Sequence, residues 1–118
     1  MNKIAKLFIT FISAITLTLV TVSTSSAKVE GEYIVLGAAV SLTGKYSSNG
    51  VHTQNGYNMA VDRINKKGGV NVGGKSYKFE IIYYDDESNP KRAAQLAERL
   101  IKQDGVHYML GPYSSGLT

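Results

Sequence analysis

The stretch "YIVLGAAV" (Tyr33–Val40) is a nearly unbroken apolar run of strand length, the pattern of a strand covered on both faces. The loop "SLTGKYSSNG" follows it. In "VHTQNGYNMAVDRINKKGG", Tyr57, Ala60, Val61 and Ile64 then recur at helical spacing, with Asp62, Arg63 and Lys66 on other faces. Gly68-Gly69 stops that helix. "VNVGGKSYKFEIIYYDD" reads as a hairpin-like excursion around Gly73-Gly74 that runs into a second strand at about Tyr77–Tyr84. Asn89 as N-cap and Pro90 at the first helical position open a second helix. Its expected buried stripe is Ala93, Leu96, Ala97, Leu100 and Ile101, and Gly105 ends it. "VHYMLG" is a third strand.

The order β-α-β-α-β predicts an α/β fold, a doubly wound parallel sheet with helices on both faces. In such sheets the second strand lies to one side of the first and the third to the other. Ligands bind beyond the carboxyl ends where the order reverses. Two loops border that crevice, "SLTGKYSSNG" and "GPYSSG", and both carry hydroxyls and glycines.

The amino-terminal segment changes the picture. Lys3 and Lys6 precede an apolar run from Leu7 to Val22, and "STSSAK" places Ser25 and Ala27 before a cleavage site after Ala27. That is the plan of a secretory signal peptide, residues 1–27. The run is shorter than the roughly 20 apolar residues of a membrane span. The 118 residues contain no cysteine, so an exported chain must rely on its core and carries no lipid-anchor site after the leader. The formal charge of +4 includes the two leader lysines, which leaves nothing that calls for a nucleic-acid or membrane partner. The chain stops at "GPYSSGLT", directly after a strand, and residues 28–118 therefore read as a fragment of a longer protein.

Among candidate sites, Gly44-Lys45 approaches a phosphate-binding loop. Tyr46 stands where that motif needs Ser or Thr, and the loop is expected to continue through Ser47, Ser48, Asn49 and Gly50 before its helix begins. Asp85-Asp86-Glu87 could hold a metal or act as acid and base. With no third ligand in view, the plainer expectation is a solvated turn before a helix start. His52 and His107 are single, and Tyr77, Tyr83 and Tyr84 read as packing residues. The "GPYSSG" loop offers the Ser114 and Ser115 hydroxyls, and free N–H groups through Gly116, at an expected helix N-terminus, an anion site without catalytic chemistry.

Taken together, "IVLGAAVSLTGKYSSNG", "NGYNMAVDRINKKGGV", "YYDDESNPKRAAQLAERLI" and "MLGPYSSG" resemble the amino-terminal part of the branched-chain amino-acid type solute-binding proteins of ABC importers. These have the type I periplasmic-binding-protein fold. The resemblance implies two lobes closing over a small molecule, with no cofactor and no catalysis. It implies that the loop after the third strand holds the ligand's carboxylate, through Ser115 with Tyr113 and the backbone of Ser114–Gly116. The loop after the first strand, Tyr46 to Asn49, would form a wall. Two departures stand out. Leucine and isoleucine binders of the family place an aromatic residue where this chain has Asn49, which leaves room for a more polar amino acid or an amide. Some also join the regions of Ser88 and Ser114 by a disulfide that cannot form here.

The function expected is that of a monomeric periplasmic solute-binding protein delivering a small amino acid, or a related carboxylate or amide, to an ABC permease. A sensory receptor ectodomain of the same fold is the alternative. An exported hydrolase is disfavoured, because neither loop pairs a nucleophile with a base.

Overall fold

The computed structural model describes residues 29–118, and the expected leader, residues 1–27, lies outside them. A two-residue strand absent from the sequence expectation, β1 (Val29–Glu30), turns back antiparallel onto the start of β2 (Tyr33–Val40). Then come α1 (Ser47–Lys66), β3 (Val70–Val72), β4 (Lys75–Asp85), α2 (Pro90–Lys102), β5 (Tyr108–Leu110) and a 3-10 turn, Ser115–Leu117.

β2 is central, as its apolar run requires. It pairs in parallel with β4 from Tyr33↔Lys78 to Val40↔Asp85, and with β5 from Leu36↔Tyr108 to Ala38↔Leu110. β3 adds antiparallel to the far edge of β4. The sheet is thus mostly parallel and α/β, and the order reverses between β2 and β5, as the crossover rule predicts.

Alternation along β2 divides its side chains between two layers. Val35 meets Leu100 and Val106 in a buried core, with Ile82 and Tyr84 against it. Gly37 lies on the same face, where an added Cβ would come within 3.0–3.1 Å of Met109, Val106 and Leu100. On the opposite face Ile34 and Leu36 look toward Tyr57, Val61 and Ile64 of α1 across an apolar cavity of about 500 Å³. This cavity lies between sheet and helix, away from the strand ends, and has no converging polar groups. The far end of α1 is strapped down by Asn65, whose side chain accepts from the Phe79 N–H and donates to the Phe79 carbonyl, both at 2.8 Å.

α2 starts where expected. Asn89 Oδ1 accepts from the Arg92 N–H (3.1 Å), and Pro90 takes the first position. Its stripe is narrower than expected. Ala93 and Leu100 are buried, whereas Ile101 is 53% exposed. Leu100 fills the space over Val35, and Ile101 lies about 100° further round the helix, past the sheet's cover.

Candidate functional site

The loop after β2 is built by the acidic turn after β4. Asp85 Oδ1 accepts from the N–H groups of Leu42 (2.9 Å), Thr43 (3.2 Å) and Glu87 (2.9 Å), and its Oδ2 accepts from the Thr43 hydroxyl (2.7 Å). Asp86 is fully buried. Its Oδ1 accepts from the Ser41 hydroxyl (2.6 Å) and the Ser88 N–H (2.8 Å), while its Oδ2 has no partner. The expectation of a solvated turn is therefore corrected: only Glu87, paired with Arg92 at 3.4 Å, sits in solvent as expected. The two aspartates are consumed in binding loop donors. Among the described residues no three His, Cys, Asp or Glu side chains group as metal ligands. Burial alone would push the Asp85 carboxyl up. The bonds from Glu87, Thr43 and Leu42 outweigh it and hold the group below the ordinary aspartate value.

Glu87 and Ser88 both lie in the left-handed region, at φ 55° and 61°. That turn carries the Ser88 side chain into the β2 loop, where its Oγ donates to the Thr43 carbonyl (2.7 Å) and accepts from the Tyr46 N–H (3.0 Å). Gly44, itself at φ 80°, makes the approach possible. A Cβ there would stand 2.7 Å from both the Glu87 carbonyl oxygen and Ser88 Oγ.

α1 begins at Ser47, four residues before the expected start at Val51, with Tyr46 as its N-cap residue. Ser47, Ser48, Asn49 and Gly50 are its first turn rather than loop. The reason is tertiary. Gly50 packs so tightly on β2's end that an added Cβ would overlap the Ser41 carbonyl. The glycine-lysine loop thus runs straight into its helix, as a phosphate cradle does and contrary to expectation. The difference is chemical: Tyr46 supplies no metal-binding hydroxyl, and Lys45 Nζ lies 4.6 Å from the centre of the Tyr46 ring.

The loop after β5 is held more lightly. The Tyr57 hydroxyl donates to the Gly111 carbonyl (2.8 Å). Ser114 caps the 3-10 turn, its Oγ accepting from the Gly116 N–H (3.2 Å) and its carbonyl from the Leu117 N–H (2.9 Å). One expectation is corrected here: the Gly116 N–H is not free but is engaged by Ser114. Ser115, at the turn's first position, is exposed.

The two loops meet at the switch point. The rings of Tyr46 and Tyr113 lie 6.1 Å apart, tilted by 56°. Hydrogen bonding to Lys45 first, then to Ser114, and then the charge of Lys45, holds the Tyr46 phenol below its ordinary pKa. Of the expected site residues, Tyr46, Tyr113 and Ser114 are brought together, with Ser115 and Gly116 next in the same turn. Asn49 stands exposed in the first turn of α1, with no contact to the pair among its described hydrogen bonds. Sequence reading missed the contributions of Lys45, Ser88 and Tyr57. Only the adjacency of Lys45 to Tyr46 was a usable signal.

Residues 33–118 match the family model described as periplasmic binding protein. The chain belongs to that family. Its members are binding proteins rather than enzymes. A Leu/Ile/Val-binding protein of Rhizobium johnstonii is 36% identical over 84 residues, covering 71% of this chain and 22% of the relative. The leucine-, isoleucine-, valine-, threonine-, and alanine-binding protein of Pseudomonas aeruginosa is 32% identical over 94 residues, covering 80% of this chain and 24% of its own length. Among solved structures, the branched-chain amino acid transporter substrate-binding protein LivJ of Streptococcus pneumoniae, in complex with isoleucine, superposes with a TM-score of 0.63 at 31% identity. That match covers 70% of this chain and 23% of the other. The chain thus spans 22–24% of the length of these relatives.

Proposed function

We propose that these residues form the ligand-facing part of the first lobe of a periplasmic solute-binding protein, which captures a small amino acid and passes it to an ABC permease. One observation carries the reading: the loops after β2 and β5 converge at the switch point through Tyr46, Tyr113 and Ser114, with no nucleophile–base pair between them. The ligand's carboxylate is assigned to the exposed Ser115 hydroxyl and the start of the 3-10 turn, beside Tyr113 and Gly116. The side chain is assigned to the wall formed by Tyr46 and Asn49. The names of the relatives favour a branched or short aliphatic amino acid. The polar Asn49 extends the range toward threonine and amide-bearing solutes.

Calorimetric titration of the full-length protein with L-isoleucine, L-threonine and L-glutamine tests this reading. Micromolar binding of at least one, weakened by Ser115→Ala, is expected. Binding of none of the three would overturn it. The export component of the reading expects a mature chain that starts at Lys28 and is found in periplasmic extract by intact-mass measurement.

A further inference from the structure

We propose that Ser88 is the positioning residue of the cleft's first wall, holding Tyr46 in place from the neighbouring loop. This rests on the solute-binding reading for its function and on geometry for its mechanism. The first N–H groups of a helix have no partner within it, and a capping box satisfies the N-cap residue's own N–H with a side chain three positions on. In α1 that position is Asn49, and the helix has no side-chain cap bond and no acid in its first turn. The Tyr46 N–H is satisfied instead by Ser88 Oγ at 3.0 Å, from 42 residues away in sequence.

The same hydroxyl donates to the Thr43 carbonyl at 2.7 Å, so one side chain fixes both ends of the tight turn Thr43–Tyr46. Ser88 reaches there from a left-handed conformation, at φ 61°. The buried Asp86 carboxylate holds it so by accepting the Ser88 N–H at 2.8 Å. Gly44 leaves the space for it. The acidic turn, whose Asp85 already fixes Leu42 and Thr43, thus also acts through Ser88 on the orientation of Tyr46. Tyr46 in turn reaches Tyr113 and Ser114 across the crevice.

Ser88→Gly separates positioning from mere support of the fold. Glycine accepts φ 61° without a Cβ penalty, so the variant loses the hydroxyl while its backbone relaxes. In the full-length protein the unfolding midpoint should stay within about 5 °C of wild type. The Tyr46 phenol, read as the difference in tyrosinate absorbance against a Tyr46→Phe background, should titrate at higher pH, because it leaves Lys45 and Ser114. L-isoleucine affinity should fall about tenfold, the effect of losing one hydrogen bond's worth of preorganisation. Ser88→Ala, which removes only the hydroxyl, should move the Tyr46 titration the same way. An unmoved Tyr46 titration in both variants would overturn the proposal. If the wild-type protein takes L-threonine or L-glutamine and not L-isoleucine, the affinity arm uses the solute that binds; binding of none of the three counts against the solute-binding reading. The phenol titration needs no solute and still decides the role of Ser88.

Discussion

The two loops that meet at the crevice are built in opposite ways. The one after β2 is pinned along its length by side chains from the turn after β4: Asp86 on Ser41, Asp85 on Leu42 and Thr43, and Ser88 on Thr43 and Tyr46. Part of that network is fully buried. The one after β5 takes one exposed side-chain bond, from Tyr57, and is otherwise held by its own cap at Ser114 and by the buried Leu117 beyond it. A buried charged acceptor makes removal of a partner expensive, whereas an exposed neutral bond exchanges readily with water. The first loop is therefore set by the fold, and the second leaves the Ser115 hydroxyl exposed.

The strongest way to break this contrast is Asp86→Ala. It strands the buried Ser41 hydroxyl and the Ser88 N–H, and should cost about 3 kcal/mol in denaturant unfolding. Ser114→Ala, the corresponding change in the other loop, should cost under about 1 kcal/mol. A loss at Ser114 equal to that at Asp86 would erase the difference. Next comes Ser115→Ala in the full-length protein, expected to remove about 2 kcal/mol of amino-acid affinity while leaving unfolding almost unchanged. The cap is Ser114, so a stability loss without an affinity loss would reassign Ser115 to the scaffold.

A third test uses pH. The folded Asp85 carboxyl lies below its ordinary value, so its stabilisation is complete above the unfolded pKa of about 3.9 and fades as pH falls through the folded value. Asp85→Asn should therefore lower stability at neutral pH and flatten its decline below about pH 4. An unchanged acid limb would show that the network around Leu42 and Thr43 does not depend on the charge. The smallest effect is expected from Tyr57→Phe, about 0.5 kcal/mol, since the lost bond is exposed. A larger loss would mean that the second loop is anchored as firmly as the first.

Elements whose signals are local were legible in the sequence. The bounds of β2 follow from an apolar run, and the start of α2 from Asn89 and Pro90, because each depends on residues within one turn. The start of α1 was not legible. Serines, asparagine and glycine disfavour helix on their own, and what overrides them is the Ser88 bond and the fit of Gly50 against Ser41. The aspartates were misread for the same reason. Nothing near Asp85-Asp86 in sequence shows that their partners lie more than 40 positions earlier. Of the site, the two loops were legible from topology, but the approach of Tyr46 to Tyr113 needed three dimensions. The departure at Ser88 and Ser114 also acquires a physical reading. Ser88 bonds the amide of Tyr46, and the ring of that same tyrosine lies 6.1 Å from Tyr113, the residue before Ser114.

Helix α1 has a mechanical consequence. It is fastened at its start by Ser88 through Tyr46, in its middle by Tyr57 to the β5 loop, and at its end by Asn65 to β4. At about 1.5 Å per residue its 20 residues make a rod of about 30 Å. Both of its ends are tied to β4 and the turn that follows it, so the first wall is carried by the sheet, whereas among the described residues the second wall is joined to the rod only through the exposed Tyr57 bond. Any difference in position between the two walls therefore has to be taken up at the Tyr57 bond and in the loop after β5, and not along the rod.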